Sequence, residues 1–144
     1  MRRVGQLRSG VESLTASHQR LPYRKVLAVN TEFVFSAGVW NLNTGSTVSG
    51  AGRCLFQGNL PVTFADTYSV ANTEFQNSGT ANFNAASSTT TLTFGGGDAN
   101  ILGGTADFTV NGLLTWGTGF VTGTGSNTLF ANGDIDLGRS AKLD

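Results

Sequence analysis

The residues able to do chemistry are few, and their spacing decides what they could do. One His (His18), one Cys (Cys54) and one Met occur in 144 residues, which removes most metal and nucleophile chemistry at the outset. Glycoside hydrolysis would need two carboxylates roughly 5–9.5 Å apart. Glu32 and Glu74 stand in two copies of one phrase, Asn30-Thr31-Glu32-Phe33 and Asn72-Thr73-Glu74-Phe75, and are the one acidic pair that repetition could stack on adjoining coils. Repeat equivalence explains them without catalysis. Cleavage by β-elimination would need clustered acids to hold a cation and a nearby basic residue. Asp66, Glu74, Asp98 and Asp107 are scattered, and Arg53 is the only basic residue between Lys25 and Arg139. We therefore expect no catalytic, cofactor-binding or metal-binding residue and no enzyme activity.

The remaining signals have plainer readings. Gly95 to Asp107 superficially resembles the calcium nonapeptide pattern. Its glycine pairs recur after seven residues rather than nine, and Ala99 and Ala106 stand where glycine is favoured, so two tight corners are expected. Gly117-Thr118-Gly119 lacks the lysine and following helix of a phosphate loop. Thr91-Leu92-Thr93 and Thr122-Gly123-Thr124 have the Thr-x-Thr form of ice-binding solenoids, but the motif is irregular here. Trp40 and Trp116 could stack on sugar rings. As apparent repeat equivalents they are expected instead to pack inward or at corners. His18 has no Cys or Ser partner nearby and reads as part of a helix face.

The elements that position these residues fall into two regions. Residues 1–27 form a basic leader: Arg2, Arg3, Arg8, Arg20, Arg24 and Lys25 against Glu12, a net of +5. Leu7, Val11, Leu14, His18 and Leu21 recur at helical spacing, Ser9 and Glu12 fit a capping box, and Pro22 would stop the helix. A short amphipathic helix over 4–21, capping the open end of the β region, is one reading; a disordered leader and a helix on a membrane surface are the others. No apolar run of secretion-signal type succeeds Met-Arg-Arg, and no stretch approaches a membrane span. Residues 28–144 carry Arg53, Arg139 and Lys142 against eight acids, a net of −5. Such a body offers no clustered charge for nucleic acid. The single cysteine excludes an internal disulfide framework.

From about Val26 the pattern is all-β: short alternating runs such as Thr31–Phe35, Thr89–Phe94 and Ala106–Val110, separated by Gly, Asn and Ser. The phrase at Asn30–Phe33 recurs at Asn72–Phe75, with a looser third copy at Thr105–Phe108. Val48-Ser49-Gly50-Ala51-Gly52 matches Val121-Thr122-Gly123-Thr124-Gly125. Recurrence on this scale points to stacked units. We read residues 28–144 as a single-stranded parallel β-helix, or β-solenoid, of five or six coils. At roughly 20 residues per coil and about 4.8 Å between strands, the rod is on the order of 25–30 Å long. Gly, Ser, Thr and Asn make up 63 of 144 residues and only 12% are charged, as corners and uncharged outward faces require. A β-sandwich is the rival, but it offers no reason for phrases to recur.

The phrase Phe108-Thr-Val-Asn-Gly-Leu-Leu-Thr-Trp116, continuing through Gly117-Thr-Gly-Phe-Val-Thr-Gly-Thr-Gly125, resembles repeat units of large secreted or surface-displayed microbial proteins. The resemblance, covering about residues 36–144, is to filamentous-haemagglutinin-like adhesins and autotransporter passengers, and it implies a right-handed coil. The expected role is a non-catalytic structural or adhesive repeat module of a larger extracellular or cell-surface protein. The alternative is a carbohydrate-active β-helix module whose catalytic coils lie outside this chain. Expected partners are a carbohydrate or surface ligand, and further copies of the chain meeting at open solenoid ends.

Overall fold

A computed structural model describes residues 11–15 (backbone only), 22–59, 61–97, 99–122 and 127–138. The first strands are β1 (Val11–Thr15), β2 (Arg24–Leu27), β3 (Glu32–Ala37), β4 (Trp40–Leu42) and β5 (Thr47–Gln57). Next come β6 (Pro61–Phe64), β7 (Tyr68–Gln76), β8 (Thr80–Phe83), β9 (Ser87–Phe94) and β10 (Ile101–Gly104). The last are β11 (Phe108–Val110), β12 (Leu114–Trp116), β13 (Phe120–Val121), β14 (Leu129–Ala131) and β15 (Ile135–Leu137). Among the described residues there is no helix, and hence none long and apolar enough to cross a membrane.

Among the described residues every strand pairing is parallel, and partners are one coil apart in sequence, as Arg24 is from Thr47 and Ser69 from Ser88. This is the expected β-solenoid, with about five turns; a sandwich would show antiparallel neighbours. Each coil has three faces. The first is the sheet β4-β6-β8-β10-β13. The second and third belong to one bent sheet. Long strands such as β5 run through both, and the register shift between Gly50 and Arg53 marks the bend. In other coils the same path is broken into two strands, as in β11 and β12.

Alternation sends every second residue inward, and parallel register stacks those residues in columns. One column on the third face is aromatic. Phe35, Phe56, Phe75, Phe94 and Trp116 are successive register partners. Their ring centroids are 5.3, 5.0, 5.1 and 5.8 Å apart, and the Phe35–Phe56 planes are parallel. Phe64 and Phe83 stack similarly on the first face at 5.0 Å. The two stacks meet edge-on across the coil, as Phe56 and Phe64 do at 5.9 Å, and fill its axis.

Three sequence expectations need correction. Val11–Thr15, inside the expected helix, is a strand pairing parallel with β3. The remainder of that segment, His18 included, lies outside the described residues. The Asn-Thr-Glu-Phe phrases are not equivalent in space. Glu32 aligns through Arg53 with Asn72, not Glu74, and Phe75 aligns through Phe56 with Phe35, not Phe33. A shift of two preserves which residues point inward, so the text repeats although the register does not. Trp40 and Trp116 are not equivalent either. Trp40 is buried on the first face beside Val62, while Trp116 is half-buried and ends the aromatic column of the third.

Candidate binding groove

The outward positions of the third face, next to the bend, form a groove of about 600 Å³ across successive coils. One outward column there is Glu32, Arg53, Asn72 and Thr91; the neighbouring column includes Glu74 and Thr93. At its margin the chain passes very close to Gly52. A side chain there would place Cβ 2.6 Å from the Thr31 carbonyl oxygen and 2.7 Å from that of Ala28. Glycine at 52 thus lets the 28–31 turn lie against the strand and form the groove wall.

Arg53 joins three coils. Its Nη2 lies 2.7 Å from Glu74 Oε2 and its Nε 3.1 Å from Glu32 Oε2, the latter without hydrogen-bond alignment. Gln76 Nε2 donates to the other oxygen of Glu74. The Thr91 hydroxyl donates to Asn72 Oδ1 at 2.8 Å. The Arg53 side chain is 40% exposed, so each ion pair contributes only about 0–1 kcal/mol. Their effect is to fix the orientation of a polar strip. The arrangement unites the two acids singled out from sequence, but around one guanidinium rather than as an opposed pair of carboxylates. The signal for it was partial: Arg53 stands the same number of residues from Glu32 as from Glu74, but Glu32 is its register partner one coil back, while Glu74 lies one coil on and two positions past its partner Asn72.

The other candidates are dispersed. Asp66 holds a corner, accepting from the Gly45 amide at 2.9 Å and from the amide and hydroxyl of Thr67. These hydrogen bonds, the Gly45 amide foremost, hold its carboxyl below the usual range. Asp107 accepts from the Thr128 amide at 2.8 Å, and Asp98 lies outside the described residues. The 95–100 segment is a corner built on Asn100, which is fully buried. Its Nδ2 donates to the carbonyls of Gly95 and Gly97 at 3.0 and 3.1 Å, and its Oδ1 accepts from the Gly79 amide. The second half of the nonapeptide-like stretch is another corner, between β10 and β11. Among the described residues no three His, Cys, Asp or Glu cluster for a metal. Thr91 and Thr93 line the groove, whereas Thr122 succeeds β13 on the first face, and Gly123 and Thr124 lie outside the described residues. Cys54 is buried, and loss of solvent pushes its thiol up to about 12, far from a thiolate nucleophile.

One buried polar chain was not foreseen. The Tyr68 and Thr73 hydroxyls lie 2.7 Å apart, Thr73 donates to Thr89 at 2.9 Å, and Thr89 donates to the Val70 carbonyl at 2.7 Å. It satisfies hydroxyls at inward positions of the bend, where aliphatic residues would be expected. Burial pushes the Tyr68 phenol well above its usual value.

Comparison of the chain with family models, curated proteins and solved structures returned no match.

Proposed function

We propose that this chain is a non-catalytic structural and adhesive module of a larger extracellular or cell-surface protein, of the type its repeat phrases resemble in filamentous-haemagglutinin-like adhesins and autotransporter passengers. The observation that carries this reading is the groove. It crosses several coils, is lined by amide, hydroxyl and carboxylate groups, and has its Arg53 and glutamate charges already paired. Such a surface suits a hydroxyl-rich polymer, a polysaccharide for instance, held by several weak hydrogen bonds of about 0.5–1.5 kcal/mol each. The packed axis makes the module a stiff support for that surface.

The test is retention of the purified chain on a panel of immobilised neutral polysaccharides, with the soluble polymer assayed for new reducing ends or unsaturated products. Binding without turnover is expected, weakened about tenfold when Asn72→Ala and Thr91→Val together remove the exposed polar pair. Retention unchanged in that variant would remove the groove from the reading. Sustained turnover would replace it with that of a carbohydrate-active module.

A further inference from the structure

The bend between the second and third faces carries the same dipeptide in two successive coils. Asn111-Gly112 follows β11, Asn132-Gly133 follows β14, and the chain holds no other Asn-Gly pair. Register sets one above the other, because Val110 pairs with Ala131. Packing explains the glycines. A Cβ at Gly112 would lie 2.9 Å from the Thr90 carbonyl oxygen, and one at Gly133 would lie 2.4 Å from that of Gly112. Both asparagines are exposed and their side chains meet, Asn132 Nδ2 donating to Asn111 Oδ1 at 3.3 Å.

These residue types in this order are chemically reactive. The backbone nitrogen after an asparagine lies one ring closure from the side-chain Cγ, and glycine, having no Cβ, leaves that approach open. What differs between the two pairs is the nitrogen. The Gly112 amide donates to the Thr90 carbonyl at 2.8 Å, which fixes it against the preceding coil. Among the described residues the Gly133 amide has no hydrogen-bond acceptor. The side-chain contact is common to both asparagines and does not distinguish them.

We propose that Asn132 is a site of spontaneous deamidation in the folded protein, while Asn111 is protected. The Gly133 nitrogen gives up its proton to solvent base and attacks Asn132 Cγ. A C–N bond forms, the bond to Nδ2 breaks, and the side-chain amide takes up a proton and leaves as ammonia. Water then opens the cyclic imide at either carbonyl, giving aspartate or, with the main chain routed through the side-chain carbons, isoaspartate. The reaction consumes water alone. Either product adds a negative charge beside Asp134. Isoaspartate also lengthens the backbone ahead of β15, which three register pairs hold to β12, so the last strand pairing loosens. The inference does not depend on what the groove binds.

Incubation of the full chain at mildly alkaline pH, folded or in urea, with its peptides mapped by mass spectrometry, tests this. An ordinary hydrogen bond is equivalent to about tenfold or less in rate, so in the folded chain Asn132 should convert up to about tenfold faster than Asn111. In urea the difference should collapse, since both nitrogens are then free. Both products should appear at 132, and backbone amides of β15 should exchange faster in the isoaspartate form. Asn132→Gln, whose longer side chain disfavours the ring, should remove the fast acidic species while the circular dichroism stays unchanged. Asn111 converting as fast as Asn132 in the folded chain would overturn the proposal. So would a difference that persists in urea, a fast acidic species that survives in Asn132→Gln, or no conversion at 132 over the time in which the urea-unfolded chain reacts.

Discussion

Phe56→Ala is the sharpest test of the aromatic column. The Phe56 ring is fully buried, with Phe35 parallel to it at 5.3 Å on one side and Phe75 at 5.0 Å on the other. Phe64 and Phe83 meet it edge-on at 5.9 and 6.2 Å. Truncating a buried Phe costs about 3–5 kcal/mol, rising with how poorly the site can collapse. Here collapse is opposed from both sides, because β3 and β7 are held at strand spacing by their own backbone hydrogen bonds with β5. Each lost ring pair accounts for roughly 0.5–1.5 kcal/mol within that total. We expect a loss of about 4 kcal/mol. With a urea dependence of about 2 kcal/mol per molar, the midpoint should fall by about 2 M. Equilibrium unfolding followed by circular dichroism and by Trp40 and Trp116 fluorescence measures it. Leu113→Ala, at an exposed position, should stay within about 0.5 kcal/mol of wild type. A Phe56→Ala loss below about 1.5 kcal/mol, or one no larger than that of Leu113→Ala, would refute the rigid stack.

Two further outcomes follow from the corners. Gly104 has φ +126°, and a Cβ there would lie 2.1 Å from the Phe83 carbonyl oxygen, so Gly104→Ala should lower stability by roughly 3 kcal/mol or more, read as a fall in melting temperature; a neutral variant would mean the coils can separate there. Asp66 has its folded pKa below the unfolded value of 3.8, so its stabilisation is full above that value and is lost as pH falls through the folded one. The stability gap between wild type and Asp66→Asn should therefore be constant near neutrality and close on acidification below pH 3.8; a gap that persists there would show that packing, not charge, distinguishes the two.

The in-and-out alternation and the coil length of about 20 residues were legible because both are local: a parallel coil needs only parity and a regular return. The aromatic column was also legible, at Phe35, Phe56, Phe75, Phe94 and Trp116, but matching phrases pointed to a different alignment. Similar text, as in Asn72–Phe75, records parity rather than register, and a slip of two residues keeps every side chain on its face. Strand formation at Val11–Thr15 was not legible. Helical spacing is a local signal that tertiary context overrides, and here the edge of β3 offers Val11–Thr15 a strand partner. The Arg53 cluster required knowing the register: Glu32 is the partner of Arg53 one coil back, whereas Glu74 lies two positions past its partner Asn72 one coil on, and the guanidinium reaches it across the columns.

By itself, the sequence determined an all-β solenoid with a charge-poor, Thr- and Asn-rich exterior, since composition and alternation leave few other ways to bury so many phenylalanines. Only the tertiary structure decided which residues are neighbours: the Glu32–Arg53–Glu74 cluster and the buried Tyr68–Thr73–Thr89 chain. The reason is that in a parallel coil every lateral contact joins residues a whole coil apart in sequence. Which contact forms depends on how many residues each corner absorbs, and corner lengths settle only when all the columns pack at once.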